Sequence, residues 1–471
     1  MMERRRTVRE GSESRDARLA ASAGWHGRAA DGGWASFAGK RILLLQGPVG
    51  PFFSRLARDL RRAGAQVRKV NFHAGDQMFF PDGHTWRGPM AEWPAWLERH
   101  LAAWQIDCVM LFGDCRPVHQ AARTVCQRHG VPVGVFEEGY LRPNHVTFEW
   151  GGVNANSTLP RDAQALVGAT PAGPSWPRPE GAAPAVPVPP TFWRMALWAM
   201  LYFAAGALFA WRFPHYVHHR PLELVQALPW LRSAWRKPLR ARAQRALLPR
   251  LTGAESGRWF LVPLQVHNDS QVLHHADTGG VAGFIASTIA SFARHAPPDC
   301  LLVIKHHPMD RGYRDYRALV ASEAGRHGCA ERVLCLHDQP TLLLLQHCRG
   351  VITINSTVGL SALGAGRATK TMGKAFYDIP GLTYQGPLHR FWHEAPQARP
   401  DRALWLTLER TIMAEALLNG SFYRRAAPGS ATGLTTAPPP VPQHGPVSLG
   451  AWPPVPPTDS STAPQPAALV A

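Results

Sequence analysis

Short apolar runs alternate with segments of helical period along most of the chain, and they fall into two series. In the first, Arg41-Ile42-Leu43-Leu44-Leu45 has the pattern of a buried strand and stops at the turn Gln46-Gly47-Pro48-Val49-Gly50-Pro51. Phe52, Phe53, Leu56, Leu60 and Ala63 then recur at helical spacing, and Gly64 ends that helix. Residues 66–72 read as the next strand, 93–104 as a helix, 106–112 as a strand and 117–129 as a helix. The series closes on Val133-Gly134-Val135-Phe136, a buried strand that runs into Glu137-Glu138-Gly139. Strands linked through helices predict a parallel, helix-flanked sheet.

The second series repeats the plan. Residues 259–264 form a strand pattern that ends in the polar loop Gln265-Val266-His267-Asn268-Asp269-Ser270-Gln271. A helix carrying Phe284, Ile285, Ile289 and Phe292 follows. Residues 300–304 make a strand that ends in Lys305-His306-His307-Pro308. After a strand at 333–336 and a helical turn at 342–347, Val351-Ile352-Thr353-Ile354 ends in Asn355-Ser356-Thr357. A helix at 360–365, a short strand at 369–372 and a helix over 398–420 complete the series.

The segments outside these series divide the chain. Residues 1–38, rich in Arg, Ser, Gly and Ala, read as a disordered basic arm, and 426–471 as a disordered Pro-rich tail. The first series occupies an N-terminal domain at 39–160, and the second a C-terminal domain at 256–425. Between them, 161–255 begins with a Pro- and Ala-rich linker and continues into Met195–Trp211, seventeen uncharged residues. Arg194 and Arg212 flank that stretch, and His218, His219, Arg220, Arg232, Arg236, Lys237, Arg240 and Arg242 follow it. The stretch suits an in-plane anchor at an anionic membrane face or a helix in the core. Its length is at the lower limit for a full span, which globular sequence on both sides makes the weakest of the three readings.

Composition narrows the chemistry. The 471 residues are 45% hydrophobic, enough for a sizeable core. Lys and Arg number 51 against 33 acids, a formal net charge of +18. Such a surplus fits anionic lipid or a phosphorylated substrate. Nucleic acid is excluded as the intended partner, because no helix-turn-helix, zinc-finger or RNP pattern is present. The seven scattered cysteines lack a CxxC pair, which fits a reducing cytoplasm. No apolar h-region follows the basic N-terminus, so no signal peptide is expected.

The polar clusters lie where both series end their strands, the usual position of ligands in open α/β sheets. Gln46, Gly47, Pro48, Glu137 and Glu138 belong to the first half; Gln265, Asn268, Asp269, Lys305, His306, His307, Pro308, Asn355, Ser356 and Thr357 belong to the second. Two Rossmann-like domains facing across a cleft, with a membrane-proximal helical insertion, make the expected fold α/β and GT-B-like. A nucleotide-sugar donor suits the pattern. Lys305, His307 and the hydroxyls of Ser356 and Thr357 could meet a leaving phosphate, and a carboxylate from the other half could move the proton or attack the anomeric carbon. Each cluster alone is also compatible with ordinary caps, loops and core histidines. A metal site built from His274, His275, His306 and His307 lacks a recognised ligand spacing, and no metal is expected.

Glu137-Glu138-Gly139, His307-Pro308 and Ser356-Thr357 resemble the three ordered motifs of bacterial GT-B sialyltransferases. More closely, LLLQGPVGPFFSRLARDL, VFEEGYLRPNHVTFEWGGVNA, PLQVHNDSQV, IKHHPMDRGYRDY and ITINSTVGLSALG resemble the capsule polysaccharide biosynthesis/export family called KpsS or LipB, over roughly residues 40–395. The resemblance implies a retaining, metal-independent β-Kdo transferase that uses CMP-Kdo as donor substrate and no cofactor. Its acceptor would be a (lyso)phosphatidylglycerol-type lipid, and the product the linker that anchors capsular polysaccharide before export. It implies Glu138 as the catalytic carboxylate with Glu137 beside it, and Asp269 as a second candidate nucleophile. His307 would contact the CMP phosphate, supported by Lys305, His306, Pro308, Asn355, Ser356 and Thr357; Gln46, Gly47, Pro48, Gln265 and Asn268 would line the donor and acceptor cleft. The implied setting is the cytoplasmic face of the inner membrane, among capsule assembly proteins that include a second Kdo transferase. The competing expectation is a noncatalytic glycan-binding component of the export complex.

Overall fold

The computed structural model describes residues 33–169, 185–216, 227–266 and 279–442. Two α/β lobes account for most of them. The first lobe is built on β1 (Arg41–Leu44), β2 (Gln66–Asn71), β3 (His84–Thr85), β4 (Cys108–Phe112), β5 (Val133–Glu138) and β6 (His145–Trp150). Helices α1 (Phe52–Arg62), α2 (Ala74–Phe79), α3 (Trp93–Ala103) and α4 (Pro117–Arg128) connect the strands. In the insertion, α5 (Phe192–Leu208) is followed by α6 (Ala227–Ala243). The second lobe carries β7 (Trp259–Pro263), β8 (Leu301–Lys305), β9 (Val333–Leu336), β10 (Gly350–Thr353) and β11 (Ala368–Thr371), with α7 (Gly280–His295) and α8 (Val358–Gly364) among its helices. Helix α9 (Arg402–Glu415) and β12 (Leu417–Asn419) end the series.

The second sheet follows the order β11-β10-β7-β8-β9, with every pairing parallel. Its central strands β10, β7 and β8 are buried on both faces, which their apolar runs require. The first sheet has the order β12-β6-β5-β4-β1-β2-β3. Its β1, β2, β4 and β5 are parallel, as the strand-helix alternation predicts, but β6 runs antiparallel to β5, and β12 antiparallel to β6. The wholly parallel expectation therefore fails at this edge.

That edge also moves the expected domain boundary. The apolar spacing over 398–420 was expected to be one helix of the C-terminal domain. Instead the chain crosses back, and Trp405, Leu408 and Ile412 join the first lobe's core with Val109, Leu111 and Val135. β12 then covers the open edge of β6, satisfying donors and acceptors that would otherwise face outward. A three-residue strand has no detectable periodicity, so the return is invisible in the pattern.

Both ends of the chain depart from expectation as well. Residues 33–37 form a 3₁₀ turn that buries Phe37 completely, so the arm's expected limit at 38 is too long. The expected coreless tail is likewise packed from 426 to 442. Asp59 of α1, itself buried, accepts from the backbone N–H groups of Ala431 (2.6 Å) and Thr432 (2.8 Å) and from the Thr432 hydroxyl (2.7 Å). Leu434 is buried in the same cluster as Phe52 and Phe422, and Trp150 Nε1 donates to the Pro439 carbonyl at 3.3 Å.

The apolar stretch of the insertion fits neither a core helix nor a span. Among the described residues no helix is long and apolar enough to cross a membrane. In α5 the small residues Ala196, Ala199, Ala205 and Gly206, with Tyr202 and the half-buried Met195 and Trp198, face the first lobe, while Trp193, Leu197, Met200, Leu201 and Leu208 face outward. The basic sequel divides too. Arg240 is buried and donates to Asp315 Oδ2 at 2.9 Å, and Arg236 donates to the Arg311 carbonyl at 3.0 Å. These two arginines tie α6 to the second lobe instead of facing a membrane.

Candidate active site

The C-terminal ends of the two sheets are joined by a short relay. Lys305 ends β8 in register with Pro263 of β7, and Gln265, just beyond, donates through Nε2 to Asn355 Oδ1 at 2.9 Å. Next to Asn355, the Ser356 carbonyl accepts from the Tyr377 hydroxyl at 2.5 Å. Phe376, its neighbour, lies 4.7 Å from the ring centre of Tyr140, which follows Glu137-Glu138-Gly139. Tyr140 is itself held by donating to Glu149 Oε1 at 2.6 Å and accepting from Asn154 N at 2.6 Å. The acidic motif of one lobe and the Ser-Thr motif of the other therefore sit on either side of two packed aromatic rings.

The acidic motif shows why its glycine is required. A Cβ on Gly139 would lie 2.2 Å from the His145 carbonyl oxygen, so any side chain would push β6 away from β5. Successive strand residues point to opposite faces, so Glu137 and Glu138 occupy different surroundings. Glu137 shares the face of Val133 and Val135, whose cluster continues into Leu360, Phe376 and Tyr377 of the second lobe. Glu138 shares the face of Phe136, towards Phe422 and Tyr423, and its Oε1 accepts from the Tyr423 hydroxyl at 3.0 Å. Burial pushes the Glu137 carboxyl up to about 7; the N–H of Glu138 opposes this, and the charges of Glu138 and Asp114 add to it. A carboxyl that holds its proton near neutral pH is suited to acid/base work.

The second lobe presents basic and hydroxyl groups. His307 caps the turn that follows it: its Nδ1 accepts from Met309 N at 3.2 Å, which puts the proton of a neutral ring on Nε2. Ser356 Oγ accepts from Val358 N at 3.2 Å at the start of α8, whereas Thr357 makes no side-chain cap there. Asn355, Ser356 and Thr357 are half-buried, and Pro308 is exposed. Lys305 is buried, which pushes its pKa down against the pull of Asp338. Arg311, absent from the sequence expectations, lies beside it and pairs with Asp338. His306 is buried, stacked on His337 with ring centres 4.9 Å apart, and its Nδ1 faces the His307 carbonyl. It supports the His307 turn and does not line the opening.

In the first lobe the expected cleft residue Gln46 is wholly buried. Its Nε2 faces Asp76 Oδ2 (3.2 Å), Tyr202 Oη (3.1 Å) and Tyr216 Oη (2.9 Å), and its Oε1 accepts from Arg116 Nη1 at 2.8 Å. Burial pushes Asp76 up, but His73, Lys69, the Phe72 N–H and the Gln46 amide outweigh it and hold the carboxyl at about 2. Lys69 is pushed down to about 8 by burial, with Asp76 opposing. Gly47 and Pro48, with Lys69, Asp76 and Tyr202, line a small cavity beside this network. Arg116 also donates to the Gly47 carbonyl at 3.3 Å and stacks over Phe112, 5.1 Å from its ring centre. Gln46 therefore orients Arg116 instead of meeting a substrate.

Asn268, Asp269, His274 and His275 lie outside the described residues. The groups missed from sequence, Arg116, Arg311, Tyr202 and Tyr423, share one trait: their partners are distant in the chain, 285 positions away for Tyr423 and Glu138.

A family model described as capsule polysaccharide biosynthesis protein matches residues 107–423. The capsule polysaccharide export protein KpsS of Escherichia coli is 40% identical over 394 residues, covering 82% of this chain and 97% of that protein. The capsule polysaccharide modification protein LipB of Neisseria meningitidis serogroup A is 39% identical over 391 residues, covering 82% and 92%. Among solved structures, the beta Kdo 2,7 transferase of Thermosulfurimonas dismutans KpsC matches 84% of this chain and 95% of its own at 13% identity, with a TM-score of 0.39.

Proposed function

Since the chain belongs to the capsule polysaccharide biosynthesis protein family, we propose that it is a glycosyltransferase that moves β-Kdo from CMP-Kdo onto a (lyso)phosphatidylglycerol-type lipid. The product would start the linker on which capsular polysaccharide is anchored before export. One observation supports this reading above the others: Tyr140, the residue after the acidic motif, packs on Phe376, whose neighbour Tyr377 bonds the Ser356 carbonyl, so the acidic motif of one lobe and the Ser-Thr motif of the other are linked through these aromatic residues.

In this reaction the bond from the anomeric carbon to the cytidylate oxygen breaks, and its electron pair leaves with CMP. Lys305, His307 and the Ser356-Thr357 turn would offset the charge that develops there. A lipid hydroxyl forms the new bond, and its proton passes to a carboxylate. Retention of configuration requires two displacements, so one acid is a nucleophile and another the acid/base. Glu137, poised near neutrality, suits the acid/base role, with Glu138 and Asp269 as the candidate nucleophiles. Expected localisation is the cytoplasmic face of the inner membrane, with capsule assembly proteins, a second Kdo transferase among them, as partners.

The test is mass-spectrometric detection of Kdo addition to a lysophosphatidylglycerol analogue, with CMP release measured in parallel. Full-length protein that binds CMP-Kdo but neither releases CMP nor modifies the lipid would favour a noncatalytic glycan-binding role.

A further inference from the structure

Helix α5 has its apolar surface on the wrong side for a core element. Trp193 is 80% exposed, Trp211 beyond its end 75%, and Leu208 60%. Helix α6 extends the patch with Trp235, and Lys237 Nζ lies 5.8 Å from the Phe192 ring centre, so the two helices present one surface. Arg194, Arg232 and Lys237 rim it, exposed, and neither helix contains an acidic residue. Apolar side chains with terminal tryptophans and a purely cationic rim complement an anionic bilayer surface. At roughly 1.5 Å per residue α5 is about 25 Å long, suited to lying in the interface.

The inner face of the same helix reaches the first lobe's strand ends at two points. The Tyr202 hydroxyl donates to Asp76 Oδ1 at 3.0 Å, faces Gln46 Nε2 and lies 2.5 Å from His73 Nε2. The approach is so close that a Cβ on Gly75 would sit 2.6 Å from the Tyr202 carbonyl oxygen. Four residues earlier, the Trp198 ring lies under the Arg55 guanidinium at 5.2 Å and 6.4 Å from the ring of Tyr423, which bonds Glu138. The residues that dock the helix are otherwise Ala and Gly, which bury little apolar area, and the half-buried Met195.

We infer that α5 couples membrane docking to catalysis: an anionic bilayer seated on its outer face holds its inner face in place, and Trp198, Tyr202 and Tyr423 thereby position Glu138 and Arg116. The inference rests on the transferase reading for its catalytic half. The patch is continuous only when α5 lies against the lobe beside α6, so the bilayer favours the docked helix over a loosened one. A ligand shifts a conformational equilibrium only through such a difference. The three residues are positioning residues; none is placed against the donor sugar.

The experiment uses the full chain with phosphatidylcholine vesicles, with and without phosphatidylserine, whose headgroup is no glycerol acceptor. Vesicle sedimentation, hydrogen exchange at residues 46–50 and 420–425, and CMP release with deacylated glycerophosphoglycerol are read together. Phosphatidylserine vesicles should bind the protein and slow exchange in both segments by about tenfold. They should also raise CMP release about threefold or more. Tyr202→Phe, and as a second variant Trp198→Phe, should sediment like the parent but lose both responses. Trp193→Ala with Trp211→Ala should lose sedimentation and both responses together. Sedimentation without any change in exchange or turnover overturns the coupling, as does failure to sediment, which would assign the patch to a protein partner. Slowed exchange with no CMP release under any condition would sustain the coupling at the first lobe and sink the transferase reading instead.

Discussion

The two lobes build their strand ends in opposite ways. In the second lobe the candidate groups sit at the ends of two parallel strands on either side of β7, Lys305 and His307 at the end of β8 and Asn355 to Thr357 after β10; His307 and Ser356 are oriented by bonds to backbone two residues on, and Asn355 by Gln265 just beyond β7. In the first lobe each group is braced from far along the chain: Glu138 by Tyr423, Gln46 by Tyr202 and Tyr216, and α1 by Ala431 and Thr432 through Asp59. Their charge balance differs as well. In the first lobe burial raises Glu137 and Glu149 to about 7 while it lowers Lys69 to about 8 and His119 to about 3; in the second lobe the buried groups it shifts beside the strand ends are bases, Lys305 and His306 downward and His337 to about 3. A locally built surface suits recognition of a common nucleotide, while a lobe assembled from distant segments can respond to what those segments touch.

The largest effect should come from the carboxylates that set the lobes apart. Glu138→Gln or Glu137→Gln should lower CMP release by about a thousandfold while CMP-Kdo binding persists, because acid/base and nucleophilic groups act on the bond itself. Turnover within tenfold of the parent in both variants would remove the pair from the chemistry. His307→Ala should cost about a hundredfold, through loss of one donor to the leaving phosphate. An unchanged rate would show that the second lobe binds its nucleotide through other groups.

Stability should expose the long-range bracing. Asp59→Ala leaves three donors of the C-terminal segment without their acceptor, so unfolding free energy should fall by about 3 kcal/mol. Denaturant titration reads this, and a loss below 0.5 kcal/mol, the range of a neutral surface change, would show that the segment does not brace the lobe. The smallest expected effect is one of pH. If Glu137 must be ionised to take a proton, the acid limb of turnover should have its midpoint near 7, and Glu137→Gln should remove that limb. The folded-state value lies above the ordinary 4.5, so the folded chain binds more protons than the unfolded one between those values. This group's contribution to stability is present below 4.5 and is lost as pH rises through 7; an opposite slope in a pH series of unfolding midpoints would contradict its burial.

The same contrast explains what could be read from sequence. The parallel strands and the His-Pro and Ser-Thr ends were legible, because a buried strand is an unbroken apolar run and its polar end is the next residue. The parallel plan also anticipated β1, β2, β4 and β5 of the first lobe, but not the two-residue β3 or the short helix α2 before it. What escaped lies in tertiary contacts without local pattern. β6 alternates too little to announce an antiparallel edge, β12 is three residues long, and Asp59 looks like an exposed helical acid until residues 431–432 close on it. Gln46 was read as a cleft residue because it follows a strand; its burial depends on two tyrosines of the insertion, 156 and 170 positions away. The apolar stretch at 195–211 showed its length but not its orientation, since small and large side chains score alike as apolar.

The return of α9 and β12 to the first sheet has a consequence for how the molecule could be re-cut. The first lobe is discontinuous: it needs 33–150 together with 402–442, and the whole second lobe lies between them. Expressing the two halves as consecutive fragments would strip β6 of its neighbour. A circular permutant that opens in the turn before β7 and fuses the old ends would make that lobe one uninterrupted stretch, and the second lobe would then emerge from the ribosome first.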